Sequence, residues 1–289
     1  MLRDPEAMPA NAPIPSRTVP GFVRAQGVLR ARFRREALGT EAAELRESGG
    51  FRIRFPRVHG GPDAACETVM INTGGGMTGG DRLSVDLALE PGARVVATTQ
   101  SAEKVYRSDG PATRLDVRLT VAAGAQLAWL PQEQILFSGA RLARRMDVDL
   151  ADDARLTLAE AFVFGRVAMG ETLGDGLVDD RWRIRRGGRL LLAENLCLAG
   201  PLQAALDRPA VAAGMRAVAT VVHVAPDAEA RLEEARAVLE EAGCDCGASA
   251  WRTMLVLRFA AAEPSRLRAD LARFLNRFRA VPLPRVWQC

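Results

Sequence analysis

From residue 21 onward the chain alternates apolar and polar residues with period two. Phe51-Arg52-Ile53-Arg54-Phe55 and Leu83-Ser84-Val85-Asp86-Leu87-Ala88-Leu89 each place every second side chain on one face, which predicts half-buried strands. A longer unit then recurs: an alternating strand, a tight turn with Gly or Asp, and a second apolar strand. The first strands are Arg82–Leu87, Arg114–Leu119, Met146–Leu150 and Trp182–Arg185. Their turns are Pro91-Gly92, Ala123-Gly124, Asp152-Asp153 and Gly187-Gly188, and the second strands begin at Ala93, Ala125, Ala154 and Arg189. A period of roughly 30 residues suits stacked units, none of which can bury its apolar face alone. A sandwich of ordinary hairpins shows similar turn spacing. Both remain open here, with the stack ahead.

The tail changes period. Arg216–Ala225 is an apolar strand, and Asp227–Ala242 has helical spacing, with Asp227 as N-cap and Gly243 as stop. Trp251–Phe259 alternates as a strand. Glu263–Arg279 is amphipathic, with Leu267, Leu271, Phe274, Leu275 and Phe278 on one face. Pro282 and Pro284 stop it. The expected fold is mainly β: a β-helix-like stack of repeated strand pairs with two C-terminal α-helices packed on it. Residues 1–20, with Pro5, Pro9, Pro13, Pro15 and Pro20, read as a disordered leader. Residues 21–289 read as one domain, with a β body over about 21–225 and an α+β portion over about 226–289.

Composition narrows the function classes. The net charge is +4 and the isoelectric point about 9.1, almost wholly through arginine. The arginines are spread along the chain rather than gathered, which argues against nucleic acid. No run reaches the ~18 apolar residues of a membrane span; the best stretch, Val211–Ala225, is broken by Arg216. Cys66, Cys197, Cys244, Cys246 and Cys289 are odd in number and irregular in spacing, unlike a disulfide framework. A cytoplasmic setting is the expectation. His59 and His223 stand at no ligand spacing, and Cys244-Asp245-Cys246 alone does not close a metal site.

The chemistry is concentrated in a few segments. Gly74-Gly75-Gly76-Met77-Thr78-Gly79 satisfies G-x-G-x-x-G, yet an alternating strand follows where a dinucleotide site needs a helix. The run therefore reads as a strand connection, with a phosphate-cofactor enzyme using the Gly74–Gly80 loop as the alternative. Lys104 and Tyr106 are the chain's sole lysine and tyrosine; Lys104 is positioned to pair with Glu103, Asp109 or a partner's carboxylate. Glu160 and Glu194 fall at corresponding places in the third and fourth units and could meet inside the β body. A buried acid there needs a partner such as Arg166, Arg181, water or a metal ion. The plainer reading is a buried Glu–Arg pair with no transport role.

Several motifs together resemble one family. Ile71-Asn72-Thr73-Gly74-Gly75-Gly76-Met77-Thr78-Gly79-Gly80-Asp81-Arg82-Leu83 and Thr98-Thr99-Gln100-Ser101-Ala102-Glu103-Lys104-Val105-Tyr106-Arg107-Ser108 look like its signature. So do Leu130-Pro131-Gln132-Glu133, Gly165-Arg166 with Gly170-Glu171, and Pro284-Arg285-Val286-Trp287. The family is that of the urease accessory protein UreD, also called UreH. The matching positions include Asn72, Gly75, Gly79, Gly80, Asp81, Tyr106, Arg107, Gly165, Arg166, Pro284, Arg285 and Trp287.

The resemblance implies a β-helix-like body and a non-catalytic maturation factor. It implies direct binding of UreF in a 2:2 complex, UreG through UreF, and docking on the urease apoenzyme. It implies nickel in transit through an internal passage, with no tightly bound cofactor and no stable metal site. Carried onto this chain, Thr99, Gln100, Lys104, Glu160, Glu171 and Glu194 are the candidates for passage or interface. Cys244, Cys246 and Cys289 lie outside the family pattern.

Overall fold

The computed structural model describes residues 24–56, 61 and 63–288. The leader assigned to residues 1–20, together with His59 and Cys289, lies outside the described residues. The strands are β1 (Gln26–Glu36), β2 (Gly39–Ser48), β3 (Phe51–Arg54), β4 (Cys66–Asn72), β5 (Arg82–Leu89), β6 (Arg94–Thr99), β7 (Glu103–Val105), β8 (Thr113–Val121) and β9 (Gln126–Trp129). They continue as β10 (Gln134–Leu136), β11 (Arg141–Leu150), β12 (Arg155–Phe164), β13 (Asp175–Arg186), β14 (Arg189–Pro201), β15 (Ala217–Val224), β16 (Asp245–Trp251) and β17 (Met254–Ala261). The helices are α1 (Leu202–Asp207), α2 (Leu232–Leu239) and α3 (Pro264–Arg279).

These strands build two facing sheets. The first has the order β14-β13-β11-β8-β5-β1-β2 and the second β16-β17-β15-β12-β9-β6-β4-β3. Within the first, β1, β5, β8, β11 and β13 are parallel neighbours. Within the second, β4, β6, β9 and β12 are parallel neighbours. Each coil uses one strand of the first sheet, turns a corner, and returns through the second. The corners stack by backbone bonds: Gly92 N–H donates to Ala123 O at 2.9 Å, Ala151 N–H to Val121 O at 2.9 Å and Arg155 N–H to Ala125 O at 3.0 Å. A short third side forms where β7 and β10 pair in parallel. The body is the expected β-helix-like stack, and the hairpin sandwich is not what forms.

Burial follows the pattern that predicted it. β5 and β11 alternate, because one face meets the core and the other meets water. β12 is buried at every position after Arg155, because both of its faces are covered. Its inner side joins the core between the sheets, through Leu156, Leu158, Phe162 and Phe164. Its outer side, Ala159, Ala161 and Val163, joins a second core under α2 and α3. α3 buries Leu267, Leu271, Phe274, Leu275 and Phe278 there, the face read from the sequence; each such side chain contributes about 1.5–3 kcal/mol on burial.

Three expectations are corrected. The fourth unit does not turn a corner: β14 folds back antiparallel on β13 in the same sheet. Gly187 and Gly188 both have positive φ, 53° and 75°, the backbone of a two-residue hairpin that reverses the chain. The helix expected over Asp227–Ala242 is a 3-10 turn, Glu229–Arg231, followed by the eight residues of α2. Asp227 pairs with Arg155 at 2.6 Å instead of capping it. The strand expected over Trp251–Phe259 is split, since Arg252 and Thr253 also take positive φ and turn β16 into β17.

Candidate functional site

β11 and β13 carry, in their apolar inward register, one residue each that is not apolar. They are Arg144 and Asp180, opposite one another across the parallel ladder. Arg144 is 1% exposed. Its Nε and Nη2 donate to the two oxygens of Asp180 at 2.8 and 2.7 Å, a bidentate pair. Its Nη1 donates to Glu160 Oε2, which comes from β12 on the facing sheet. Trp129 Nε1 donates to Glu160 Oε1 at 2.8 Å, and Trp182 Nε1 to Asp180 Oδ2 at 2.9 Å. Burial works most strongly against the charged guanidinium. The combined pull of Asp180 and Glu160 outweighs it and raises Arg144 above its ordinary value. Two carboxyl groups thus share one guanidinium inside the body.

This cluster meets a pocket of about 520 Å³ that opens between β14 and the β15-β17-β16 hairpins. Glu160, Phe162, Asp180 and Trp182 form its floor. Glu194 of β14 and Arg258 of β17 form an ion pair at its rim, where Arg258 Nη1 also donates to Thr220 Oγ1 at 2.6 Å. Glu160 and Glu194 therefore do share one space, although the expected stacking of equivalent units is not what brings them there. Neither Arg166 nor Arg181 is the partner of Glu160; Arg144 is. Arg181 pairs with Asp179 on the outer face. Asp245 and Cys246 line the same mouth. Burial pushes Cys246 above its ordinary value and pushes Cys244 up to about 12, so both thiols are protonated at neutral pH. Among the described residues no three His, Cys, Asp or Glu side chains are grouped to hold a metal ion.

The other candidates lie elsewhere. Thr99 Oγ1 accepts from Gln132 N–H at 2.9 Å, and the Gln132 side chain donates to Thr99 O and Gln100 O at 3.2 and 3.1 Å. Lys104 is exposed on β7 and forms no ion pair among the described residues; Asp109 pairs with Arg24 instead. Glu171 accepts from Arg166 Nη2 at 3.0 Å and from Ser138 N–H at 3.2 Å, and the Arg166 contact holds its carboxyl below the usual range. His223 is a buried core residue: Nδ1 lies 3.0 Å from Thr157 Oγ1, and burial lowers it to about 4.

The glycine run joins β4 to β5, and several of its amides are already used. Gly74 N–H donates to Asn72 Oδ1 at 3.0 Å, Met77 N–H to Lys104 O at 2.7 Å and Thr78 N–H to Asp81 Oδ2 at 2.7 Å. A phosphate cradle would need such donors free.

A model of the UreD urease accessory protein family matches residues 25–288. The urease accessory protein UreD of Azorhizobium caulinodans is 50% identical over 264 residues, covering 91% of this chain and 96% of that protein. UreD 1 of Methylobacterium radiotolerans is 51% identical over 286 residues, covering 96% and 98%. UreD of Methylobacterium sp. strain 4-46 is 52% identical over 254 residues, covering 86% and 89%. The chain belongs to the UreD family of urease accessory proteins. Its role is in urease maturation.

The UreD signature segments are joined to each other rather than scattered. Tyr106 Oη donates to Gly75 O at 3.0 Å, and Tyr106 N–H to Met77 O at 2.8 Å. Asp81, 4% exposed, accepts from Ala25 N–H at 2.8 Å and so pins the entry to β1. Arg166 stacks 4.6 Å from the Phe137 ring, itself edge-on to Tyr106 at 5.0 Å. At the C-terminus Trp287 Nε1 donates to Thr98 Oγ1 at 3.0 Å, while Arg268 bridges Gln132, Glu133 and Trp287 O. These bonds give the UreD motifs a structural duty, tying coil to coil.

Glu103, in the second of these segments, accepts from Asn72 Nδ2 of the first at 3.0 Å. Burial pushes it up to about 7, against the opposing pull of Asn72 and Lys104. The folded chain therefore holds this proton more tightly than the unfolded chain does. Stability falls as pH rises from the ordinary carboxylate value to about 7, and this group adds no slope above that. Glu103→Gln is expected to flatten that slope and to raise the melting temperature at pH 8. Equal melting of the two proteins at pH 8 would show the carboxyl to be solvated.

Proposed function

We propose that this chain joins UreF, and UreG through UreF, to the urease apoenzyme, and that it passes nickel toward the urease active site. Nickel is cargo here, not a resident cofactor, and the chain is not itself an enzyme. The reading includes a 2:2 complex with UreF in the cytoplasm. Among the described residues no helix is long and apolar enough to cross a membrane.

One observation supports the passage: the pocket between the sheets leads from solvent to two buried carboxylates. Glu160, Asp180, Glu194 and Asp245 line it, with Arg258 the one lining arginine. Carboxylates, amides and water suit a hydrated divalent ion that must move on, whereas thiolates would hold it. The protonated thiols of Cys244 and Cys246 fit that requirement. Lys104, Thr99 and Gln100 lie away from this pocket and are proposed as partner contacts, with Glu171 beside the exposed Met169.

Glu160→Gln keeps the shape of the side chain and an acceptor for Trp129. The expected outcome is a folded chain that still co-purifies with UreF but activates urease at least about tenfold less well. The assay is co-expression with urease and the remaining accessory proteins, with nickel per urease active site as the readout. Full nickel loading by Glu160→Gln would remove Glu160 from the passage. Full loading without this chain would remove the maturation role as stated here.

A further inference from the structure

The guanidinium of Arg144 lies between the carboxylates of Glu160 and Asp180 and donates to both. Both carboxylates line the pocket, while Arg144 reaches them from behind and does not line it. A third oxygen donor stands beside them. Gln134 Nε2 donates to Glu160 Oε2 at 3.4 Å, and the other end of that carboxamide, Oε1, is buried without a partner. Gln134 is only 5% exposed, so this acceptor is one that a ligand would satisfy. The Arg144 guanidinium carbon lies 4.9 Å from the Phe162 ring and 5.8 Å from the Trp182 ring while it holds both carboxylates, so these ring faces are part of its present seat.

We propose that Glu160, Asp180 and Gln134 Oε1 form a latent oxygen-donor site for a divalent cation, kept shut by the Arg144 guanidinium acting as a built-in counter-cation. Cargo enters only when the guanidinium gives up the two carboxylates. The site then offers hard oxygen ligands completed by water, a set that ranks nickel above manganese. Closing again returns Arg144 to the carboxylates and expels the ion, so the arginine makes the site a gate rather than a store. The inference rests on the passage reading above.

The test is cation binding by the tag-free full chain, without urease. Nickel binding is followed by equilibrium dialysis and by emission of Trp129 and Trp182, whose indoles donate to the two carboxylates. Arg144→Met is compared with wild type and with Arg144→Met/Glu160→Gln/Asp180→Asn, which has the cavity without the charges. Arg144→Met is expected to bind one nickel per chain about tenfold or more tightly than either comparison, with manganese weaker. Nickel titrations of Arg144→Met that match the charge-free triple variant would overturn the proposal. If Arg144→Met does not stay folded in metal-free buffer, it is refolded with and without nickel chloride. Recovery only with nickel, alongside recovery of the triple variant in both, supports the latent site; no recovery with nickel refutes it. Because urease takes no part, a negative result leaves the Glu160→Gln loading experiment standing, and the reverse also holds.

Discussion

Asp180→Ala is expected to destabilise the folded chain by about 3–5 kcal/mol, the cost of breaking a buried ion pair by removing one member. Arg144 would keep only the Glu160 contact and lose both bonds of its bidentate pair. Trp182 would lose the acceptor for its indole N–H as well. By partner count alone Glu160 suffices, since two carboxyl groups share one guanidinium. Geometry decides otherwise, because the guanidinium is 1% exposed and cannot recruit water. Asp180→Asn, which retains an acceptor for Trp182, should fall between alanine and wild type. Urea unfolding followed by far-UV circular dichroism measures all three. A loss below about 1 kcal/mol for alanine would mean that water from the pocket replaces the carboxylate.

Gly79→Val should cost about 2–3 kcal/mol, through overpacking where no room exists. A Cβ at position 79 would stand 1.9 Å from Ser108 Oγ and 2.5 Å from the carbonyl oxygen of Pro111. The serine cannot simply rotate away, since it donates to that same carbonyl at 2.5 Å and accepts from Gly110 N–H at 3.1 Å. The strain falls on the seam between two coils, where Gly80 N–H reaches Ala112 O and Thr113 Oγ1 donates to Thr78 O. Hydrogen exchange should therefore speed up in β5 and β8 and leave α3 unchanged. Uniform protection across β5 and β8 would show that the Ser108–Pro111 turn yields without cost.

The coarse fold was legible because a stack of coils repeats its own sequence pattern. Leu83–Leu89 and Glu263–Arg279 appear as β5 and α3 within a residue or so at their ends. What misled was treating Gly187-Gly188 as one more corner, when paired glycines of positive φ make a reversal. The corner at Ala123-Gly124 has one such glycine and turns between sheets. Trp251–Phe259 failed for the same reason: Arg252 and Thr253 adopt the left-handed region without being glycine, and nothing in residue type announces it.

The candidate site was half legible. Glu160 stands out as an acid in an apolar run, and it lines one pocket with Glu194. Arg144 and Asp180 are not among the residues expected from the sequence, although both carry a signal. Each sits in the apolar phase of an alternating strand, between Leu142 and Met146 and between Val178 and Trp182. Arginine is so frequent in this chain that one in the apolar phase is a weak signal. Gln134 carried no such mark, since its burial depends on the short third side formed by β7 and β10.

The reversal at Gly187–Gly188 also explains why there is a pocket at all. A further corner would have sent the chain across to the second sheet, adding a coil whose side chains filled the space above Glu160 and Asp180. Instead β14 stays in the first sheet while β15, β17 and β16 extend the second. The two walls run on past the last coil with no further coil laid between them. The opening is thus the volume of an unbuilt storey, and two adjacent glycines determine how tall the building stands.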